Sequence, residues 1–167
     1  MDLCHESRSW RLCFLIAILF ATQSPAQTAD RILIKKSERR MFLYSAGKVI
    51  KTYRIALGGS PIGKKTRQGD HRTPEGIYKI DSKNSRSRFH LALHVSYPNA
   101  ADREHARKLR VSPGGDIMIH GLPDAYAYLG ALHRQRDWTD GCIAVTNAEI
   151  EEIWKLVPVG TEVGILP

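Results

Sequence analysis

The sequence lacks a hydrophobic run long enough to cross a bilayer as an ordinary transmembrane helix. Its longest apolar stretch is residues 12–21, whereas a membrane-spanning helix needs about 20 apolar residues. That stretch follows two arginines and precedes a small-residue pattern ending at Ala26, which is typical of a secretory signal peptide. We therefore expect residues 1–26 to be a signal peptide that is removed on export. An uncleaved N-terminal anchor is the alternative.

Acidic residues are scarce relative to basic ones. The sequence contains 17 Asp and Glu residues and 25 Lys and Arg residues, which gives a net charge of +8. Such a surface attracts anions, including nucleic acid, acidic lipids and carboxylate-rich polymers. Because an exported protein meets no genome, nucleic acid is not expected as a partner. Anionic cell-envelope material is favoured instead, with the periplasm as the expected location and no stable membrane span after cleavage.

Paired cysteines are absent from the expected mature chain, residues 27–167. Cys4 and Cys13 fall in the signal peptide, so Cys142 has no partner there for a disulfide. In an oxidising compartment a lone thiol is either buried as a small hydrophobic side chain or retained for its reactivity. Composition alone favours burial.

The remaining chain has no repeat or low-complexity tract and is predicted to form one domain. Short runs rich in Val, Ile, Tyr and Leu, separated by glycine-containing turns, are typical of strands. We therefore expect a mostly β domain with a few helices, of the α+β class. The predicted strands are residues 31–36, 40–45, 49–57, 76–81, 90–96, 116–120, 142–145 and 162–166.

Helical patterns are fewer. Residues 100–109 form a polar, alanine-containing stretch, and residues 126–134 are a weaker candidate. The clearest pattern lies near the C-terminus, where Thr146 and Glu149 form a capping box before apolar residues at helical spacing. Pro158 is expected to end that helix.

Two polar segments, residues 58–74 and 82–88, are predicted to be open loops. Their basic side chains are expected to be solvated, and a role in gripping substrate carboxylates is the alternative. His90 and His94 lie four residues apart in a predicted strand, but no third ligand is suggested by spacing, so no metal site is predicted. His133 is expected at the surface, and a role in shaping the site is the alternative.

Chemistry-bearing residues concentrate between positions 117 and 147. Residues 117–121, Ile-Met-Ile-His-Gly, predict an apolar strand that ends in His120. Cys142 follows Gly141 at the first position of another apolar run, which predicts a thiol at the rim of the core. A thiol with an ordinary pKa of about 8.5 is mostly protonated at neutral pH, so a reactive cysteine needs a neighbouring base or cation. His120 could supply it if the two strands are adjacent.

These residues resemble the signature of the L,D-transpeptidases with a YkuD-type catalytic domain. The signature is an apolar strand ending in His-Gly or His-Ser, followed by Ser/Thr-x-Gly-Cys and an apolar residue. Here it corresponds to residues 119–121 and 139–143. Residues 73–78, Thr-Pro-Glu-Gly-Ile-Tyr, and residues 112–120 also fit the family pattern. The similarity extends from about residue 31 to the C-terminus.

The resemblance implies an L,D-transpeptidase-like mixed β-sandwich over residues 27–167 that acts on peptidoglycan stem peptides. By that resemblance Cys142 is the nucleophile that forms an acyl-enzyme, and it could also form an adduct with a carbapenem. His120 is implied as general base and then acid, and the amides of Gly141 and Cys142 as oxyanion donors. The implied chemistry needs no metal or organic cofactor.

The sequence departs from the family pattern in two places. Asp140 stands where many members have His, and the stretch between His120 and Thr139 is longer than usual. The Asp-Trp-Thr-x-Gly-Cys form resembles a YafK-like branch, in which hydrolytic amidase activity is also represented. Gly121, Thr139 and Asp140 are therefore candidate orienting or substrate-binding residues. Asp140 could orient His120, bind a substrate ammonium or cap a turn.

Three functions follow from these observations. The first is an exported cysteine L,D-transpeptidase that forms or exchanges cross-links between stem peptides. The second is a hydrolytic amidase or carboxypeptidase that uses the same site. The third is a catalytically silent wall-binding module in which Cys142 is only structural.

Overall fold

The structure is a computed structural model that describes residues 27–167. The first three strands of this part of the chain pair antiparallel to one another. They are β1 (Arg31–Lys35), β2 (Arg40–Ser45) and β3 (Lys48–Arg54). Alternate residues of β1 are buried, as expected for a strand that presents one face to a core. The predicted signal peptide, residues 1–26, lies outside the described residues.

The last strand of the chain, β8 (Glu162–Leu166), lies between β1 and β4 (Gly76–Ser87) and so joins the two halves of the sheet. It pairs in parallel with β1 and antiparallel with the first part of β4. From Ile80 onward β4 pairs antiparallel with β5 (His90–Val95), and the register of this pairing shifts between Ile80 and Ser82. β4 therefore belongs to both halves of the sheet.

Two short strands complete the sheet next to β5. β6 (Met118–His120) pairs antiparallel with β5, and β7 (Ile143–Ala144) pairs in parallel with β6. The strand order is β3-β2-β1-β8-β4-β5-β6-β7. Ala56, just after β3, exchanges two backbone hydrogen bonds of 2.9 and 3.0 Å with Ala144. The sheet thus curls until its two ends meet, and its aliphatic core lies inside.

Three helical segments pack around this sheet. They are α1 (Ala100–Leu109), a 3₁₀ segment (Asp124–Gln135) with non-helical backbone at Gly130, and α2 (Asn147–Leu156). None of the helices in the described part of the chain is long and apolar enough to cross a membrane. The capping box expected at the start of α2 is present, and Ile150 and Ile153 bury its apolar face.

The structure confirms the predicted fold class, one mostly β domain with three helical segments. Two predictions about elements were wrong or incomplete. Residues 82–88 are not an open loop, because β4 continues to Ser87 and pairs with β5. The polar side chains that suggested a loop face outward, while the backbone bonds of the hairpin stabilise the strand. The segment 126–134, predicted as a weaker helical candidate, lies within a 3₁₀ segment that is divided at Gly130, where the backbone is non-helical.

Candidate active site

Cys142 and His120 come from neighbouring parallel strands. In the pairing of β6 with β7, Ile119 lies opposite Ile143 and His120 lies opposite Ala144. Cys142 directly precedes β7, and because side chains alternate along a strand, it projects from the same face as His120. Strand spacing and a two-residue offset place the two Cα atoms about 8 Å apart, within reach of an aromatic side chain.

The turn before Cys142 is held by Thr139. Its buried hydroxyl donates to the Cys142 carbonyl over 2.8 Å and accepts from the Gly141 amide over 3.1 Å. The Gly141 amide is therefore occupied, and the structure does not support the oxyanion role expected for it. Gly141 has another function, because its φ is +129° and a Cβ there would lie 2.6 Å from the Arg72 carbonyl oxygen. Only glycine fits this position.

The same turn is fixed from outside by Asp137. Its carboxylate accepts from the Leu57 amide at 2.9 Å and from two nitrogens of Arg39 at 2.9 and 3.1 Å. The Leu57 carbonyl in turn accepts from the amides of Trp138 and Thr139. The sequence did not reveal this anchor, since Arg39 and Leu57 lie far away in the chain. The presence of Asp137 in the motif was the one available signal.

Cys142 is half-buried, at the rim of the core. Its thiol donates to the Asp116 carbonyl over 3.5 Å. Burial raises the pKa of Cys142, and the nearby carboxylates of Asp140 and Asp116 add to this effect. A hydrogen bond from the Met118 backbone and the positive charge of Lys65 lower the same pKa. The thiol is therefore accessible but protonated at rest.

His120 is held in one tautomer by its backbone. Its Nδ1 lies 2.7 Å from the Gly121 carbonyl oxygen, and because a carbonyl only accepts, Nδ1 carries the proton. Burial lowers the pKa of His120, although the bond to Gly121 acts in the opposite direction. The ring is thus neutral, and its Nε2 lone pair can accept a proton. A side chain at Gly121 would collide with the Asn147 amide oxygen at 2.6 Å.

An aromatic cluster surrounds the His120 ring. Phe89 lies 4.4 Å and Trp138 5.9 Å from it between ring centroids, and His133 lies 6.3 Å from Trp138. His133 is buried, at 7% exposure, so its predicted surface position was wrong. The 3₁₀ segment folds over the site instead of extending into solvent. Sequence reasoning missed Phe89 and Trp138 as neighbours of His120.

A pocket of about 760 Å³ opens beside this cluster. It is mainly apolar, and its wall combines the 3₁₀ segment with Phe89 and Trp138, which pack against the His120 ring. Its lining includes Phe89, Leu122, Leu129, Leu132, His133 and Trp138. The volume suits a short peptide segment or a comparable small molecule.

The Asp140 carboxylate does not reach His120. It bonds to His71 Nδ1 at 2.8 Å, and its side chain is 91% exposed. Of the three roles considered for Asp140, orienting His120 is therefore not supported, because Gly121 already does so. Binding of a substrate ammonium by the exposed carboxylate stays a prediction.

The other histidines of the predicted strands have carboxylate partners. His90 Nε2 lies 2.8 Å from Glu151, and His94 Nδ1 lies 2.6 Å from Asp81. No group of three metal-binding side chains occurs within residues 27–167.

The loop of residues 58–74 approaches the site from the opposite side. It contains no regular helix or strand, as predicted. Its basic side chains were expected to be solvated, but Lys65 is buried. Its ammonium donates to the Asp70 carboxylate over 2.7 Å and to the Arg67 carbonyl over 3.1 Å. A paired ammonium beside Cys142 could not be recognised from composition.

The fold and this cysteine-histidine arrangement define the class of protein. Residues 29–165 match the family model of the L,D-transpeptidase catalytic domain, YkuD, and the chain belongs to this family. The implied mixed β fold is thereby confirmed.

Three relatives illustrate how the chain compares with known proteins. A protein of Escherichia coli K12 named "Putative L,D-transpeptidase YafK" is 33% identical over 132 residues, covering 75% of this chain and 46% of the relative. The crystal structure of Pgp2, a helical cell shape determining protein of Campylobacter jejuni, has a TM-score of 0.62. It is 26% identical and covers 84% of this chain and 48% of Pgp2.

The structure of Bd1075 from Bdellovibrio bacteriovorus gives a TM-score of 0.57 at 25% identity. It covers 84% of this chain and 49% of Bd1075. The chain thus spans about half the length of the relatives it matches. A YafK-like branch defined by the motif of residues 137–142 stays a prediction.

Proposed function

We propose that this protein is an exported cysteine enzyme, an L,D-transpeptidase that acts on peptidoglycan stem peptides. The observation that carries the proposal is the arrangement of Cys142 and His120. A half-buried thiol at a strand end faces the same way as an imidazole whose Nδ1 proton is fixed by the Gly121 carbonyl. Membership of the L,D-transpeptidase family and the likeness to a cell shape determining protein support this substrate class.

The reaction begins with attack of the Cys142 sulfur on the stem-peptide carbonyl, during which His120 accepts the thiol proton. Because the pKa of Cys142 is raised and the pKa of His120 is lowered, the proton moves only as sulfur attacks the stem-peptide carbonyl. Sulfur bonds to the carbonyl carbon and the electron pair moves to oxygen. Of the two amides expected to stabilise the oxyanion, only that of Cys142 is assigned this role, since the Gly141 amide donates to the Thr139 hydroxyl. Oriented donors of this type stabilise the negative charge.

The tetrahedral intermediate then breaks at the carbon–nitrogen bond. His120 returns its proton to the leaving amine, and a thioester on Cys142 remains. An acceptor amine attacks the thioester, loses its proton to His120 and restores the thiol. A water molecule in place of the amine gives hydrolysis, so transfer and hydrolysis share one acyl-enzyme.

The substrate pocket is the apolar cavity beside His120. Two of its lining side chains, Phe89 and Trp138, pack against the His120 ring, which supports binding of a stem peptide there. The net charge of +8 favours encounter with a polymer that carries carboxylates. Location in the periplasm belongs to the same proposal, because peptidoglycan lies there.

Product analysis tests this function. The purified mature domain is incubated with tetrapeptide-stem muropeptides and a D-amino acid, and the products are separated by liquid chromatography with mass detection. Exchanged or dimeric stems support transfer, and trimmed stems alone support the hydrolytic alternative. Unchanged stems with a folded protein that binds them would contradict the enzyme and favour a silent wall-binding module. Cys142→Ala is the control for any product seen.

A further inference from the structure

His133 holds a buried hydrogen-bond donor that is not used within the fold. Trp138 Nε1 lies 3.3 Å from His133 Nδ1, and because an indole nitrogen only donates, Nδ1 accepts. The proton of the neutral ring therefore sits on Nε2. This Nε2 is buried and has no hydrogen-bond partner among residues 27–167.

An unpaired buried donor is costly, because it loses its hydrogen bond to water and gains none within the fold. Native structures usually satisfy such groups, and each exception calls for an explanation. His133 lines the pocket beside His120, so a ligand bound in that pocket can supply the missing acceptor.

The rest of the pocket defines the chemistry of such a ligand. Leu122, Leu129 and Leu132 give it apolar walls, and Phe89 and Trp138 give it aromatic ones. Burial, followed by the positive charge of Arg134 and the proximity of His120, lowers the pKa of His133 to about 4. A neutral donor in apolar surroundings suits a neutral acceptor, and a peptide carbonyl flanked by small apolar side chains is of this kind.

We propose that His133 is a peptide-binding residue, whose Nε2–H donates to a backbone carbonyl of the stem peptide in the pocket beside His120. The inference rests on the proposed function for the identity of the peptide. His133 neither attacks nor transfers a proton. It determines how the peptide lies relative to Cys142, and Trp138 fixes the tautomer that makes this possible.

The test measures peptide binding without turnover. In the Cys142→Ala background, the affinity for a tetrapeptide stem is determined by calorimetry for the parent, for His133→Leu and for His133→Gln. Leu keeps the approximate volume but has no donor, so we expect binding to weaken about tenfold to a hundredfold. Gln accepts from Trp138 and also donates into the pocket, so it should stay within about threefold of the parent.

Two controls separate binding from structural damage. All variants are compared by thermal unfolding, and in Cys142-containing protein by the rate of alkylation with iodoacetamide, which is too small to need the pocket. We expect the alkylation rates to agree. In the parent, ¹⁵N NMR should show the proton on His133 Nε2 and a change of its shift on addition of the peptide.

Several results would overturn the inference. Equal peptide affinity of His133→Leu and the parent would do so, as would a Gln variant as weak as the Leu variant, since the donor would then not matter. A stem that does not bind the parent at millimolar concentration is also contradictory. An alkylation rate that falls with the affinity would place the effect at Cys142 instead.

Failure of the proposed function is recognised separately. If the wild-type protein leaves the stem unchanged but His133-dependent binding is measured, the peptide site stands and the chemistry fails. If the stem is turned over and His133→Leu binds it normally, only this inference fails.

Discussion

The loop of residues 58–74 and the 3₁₀ segment flank the same site but are built in opposite ways. In the loop, buried charges are paired. Although burial raises the pKa of Asp70, hydrogen bonds from Lys65 and three backbone amides lower it to about 2. Lys36, from the end of β1, donates to two carbonyls of the region and to Glu75. The buried charges of this side are thus satisfied within the protein, although Ile62 is exposed.

The 3₁₀ segment leaves both apolar surface and a polar atom unsatisfied. Tyr126 and Leu132, which line the pocket, are 54% and 61% exposed, and His133 Nε2 is buried without a partner in the described part of the chain. Exposed apolar surface around a pocket is typical of binding sites. The difference suggests that the loop supports the site, whereas the 3₁₀ segment meets the substrate. Changes in the two regions should therefore affect stability and binding differently.

The largest effect is expected at the centre that both regions share. His120→Ala should slow acylation of Cys142 by about a hundredfold to ten-thousandfold, because the proposed general base is lost. Stability should change much less than the rate. Stopped-flow acylation by a carbapenem, with denaturation curves for both proteins, checks this. An unchanged acylation rate would remove His120 from the mechanism.

A change on the loop side should act on stability. Lys36→Met leaves Glu75 and two carbonyls without their buried partner, and we expect the free energy of unfolding to fall by about 3 kcal/mol. Lys35→Met, at the preceding residue, is the matched control, since its pair with Glu38 is exposed and worth at most about 1 kcal/mol. Urea denaturation measures both. Equal losses would argue against a supporting role for the buried pair.

A change on the 3₁₀ side should act on binding. Leu132→Ser removes apolar surface from the pocket wall, so KM for a stem peptide should rise about threefold to tenfold. Tyr128→Ser in the same segment is the control, because Tyr128 is exposed but is not part of that wall. Both substitutions should alter stability by less than about 0.5 kcal/mol. Similar KM values for the two variants would contradict the assigned pocket.

The smallest effect concerns acid stability. Burial lowers the pKa of His133 from 6.5 to about 4, so between these pH values the unfolded chain binds a proton that the folded protein does not. Acidification through this range therefore favours unfolding, and Tm should fall by a few degrees. His133→Gln should show a shallower decline, and His105→Gln, in an exposed position, should follow the wild type. Calorimetric scans between pH 7 and pH 4 measure Tm for the three proteins. Identical declines of Tm for His133→Gln and the wild type would contradict this prediction.

Much of the fold could be predicted because its signals are local. The alternating pattern of β1 and the capping box of Thr146 and Glu149 depend on neighbouring residues, and both gave correct elements. The tip of the β4–β5 hairpin was not predicted, because its outward-facing polar side chains are typical of a loop, and only the backbone pairing with β5 identifies these residues as a strand. Gly130 divides the 3₁₀ segment in a way that periodicity does not show.

The same distinction between local signals and distant contacts applies to the candidate site. His120 and Cys142 were suggested by strand ends and motif spacing, which are visible in the sequence. The roles of Gly141 and Asp140 depend on which groups approach in space. Gly141 is required by the Arg72 backbone, and Asp140 turns to His71. The burial of His133 results from the folding of the 3₁₀ segment over Trp138, which no local pattern indicates.

The most direct test of the account is detection of the acyl-enzyme on Cys142. The protein is mixed with a tetrapeptide stem or a carbapenem, quenched during the reaction and analysed by intact mass and peptide mapping. We predict an adduct on Cys142 that is absent in Cys142→Ala and that forms more slowly in His120→Ala. A folded protein that binds the stem but never acquires an adduct on Cys142 would contradict the central claim.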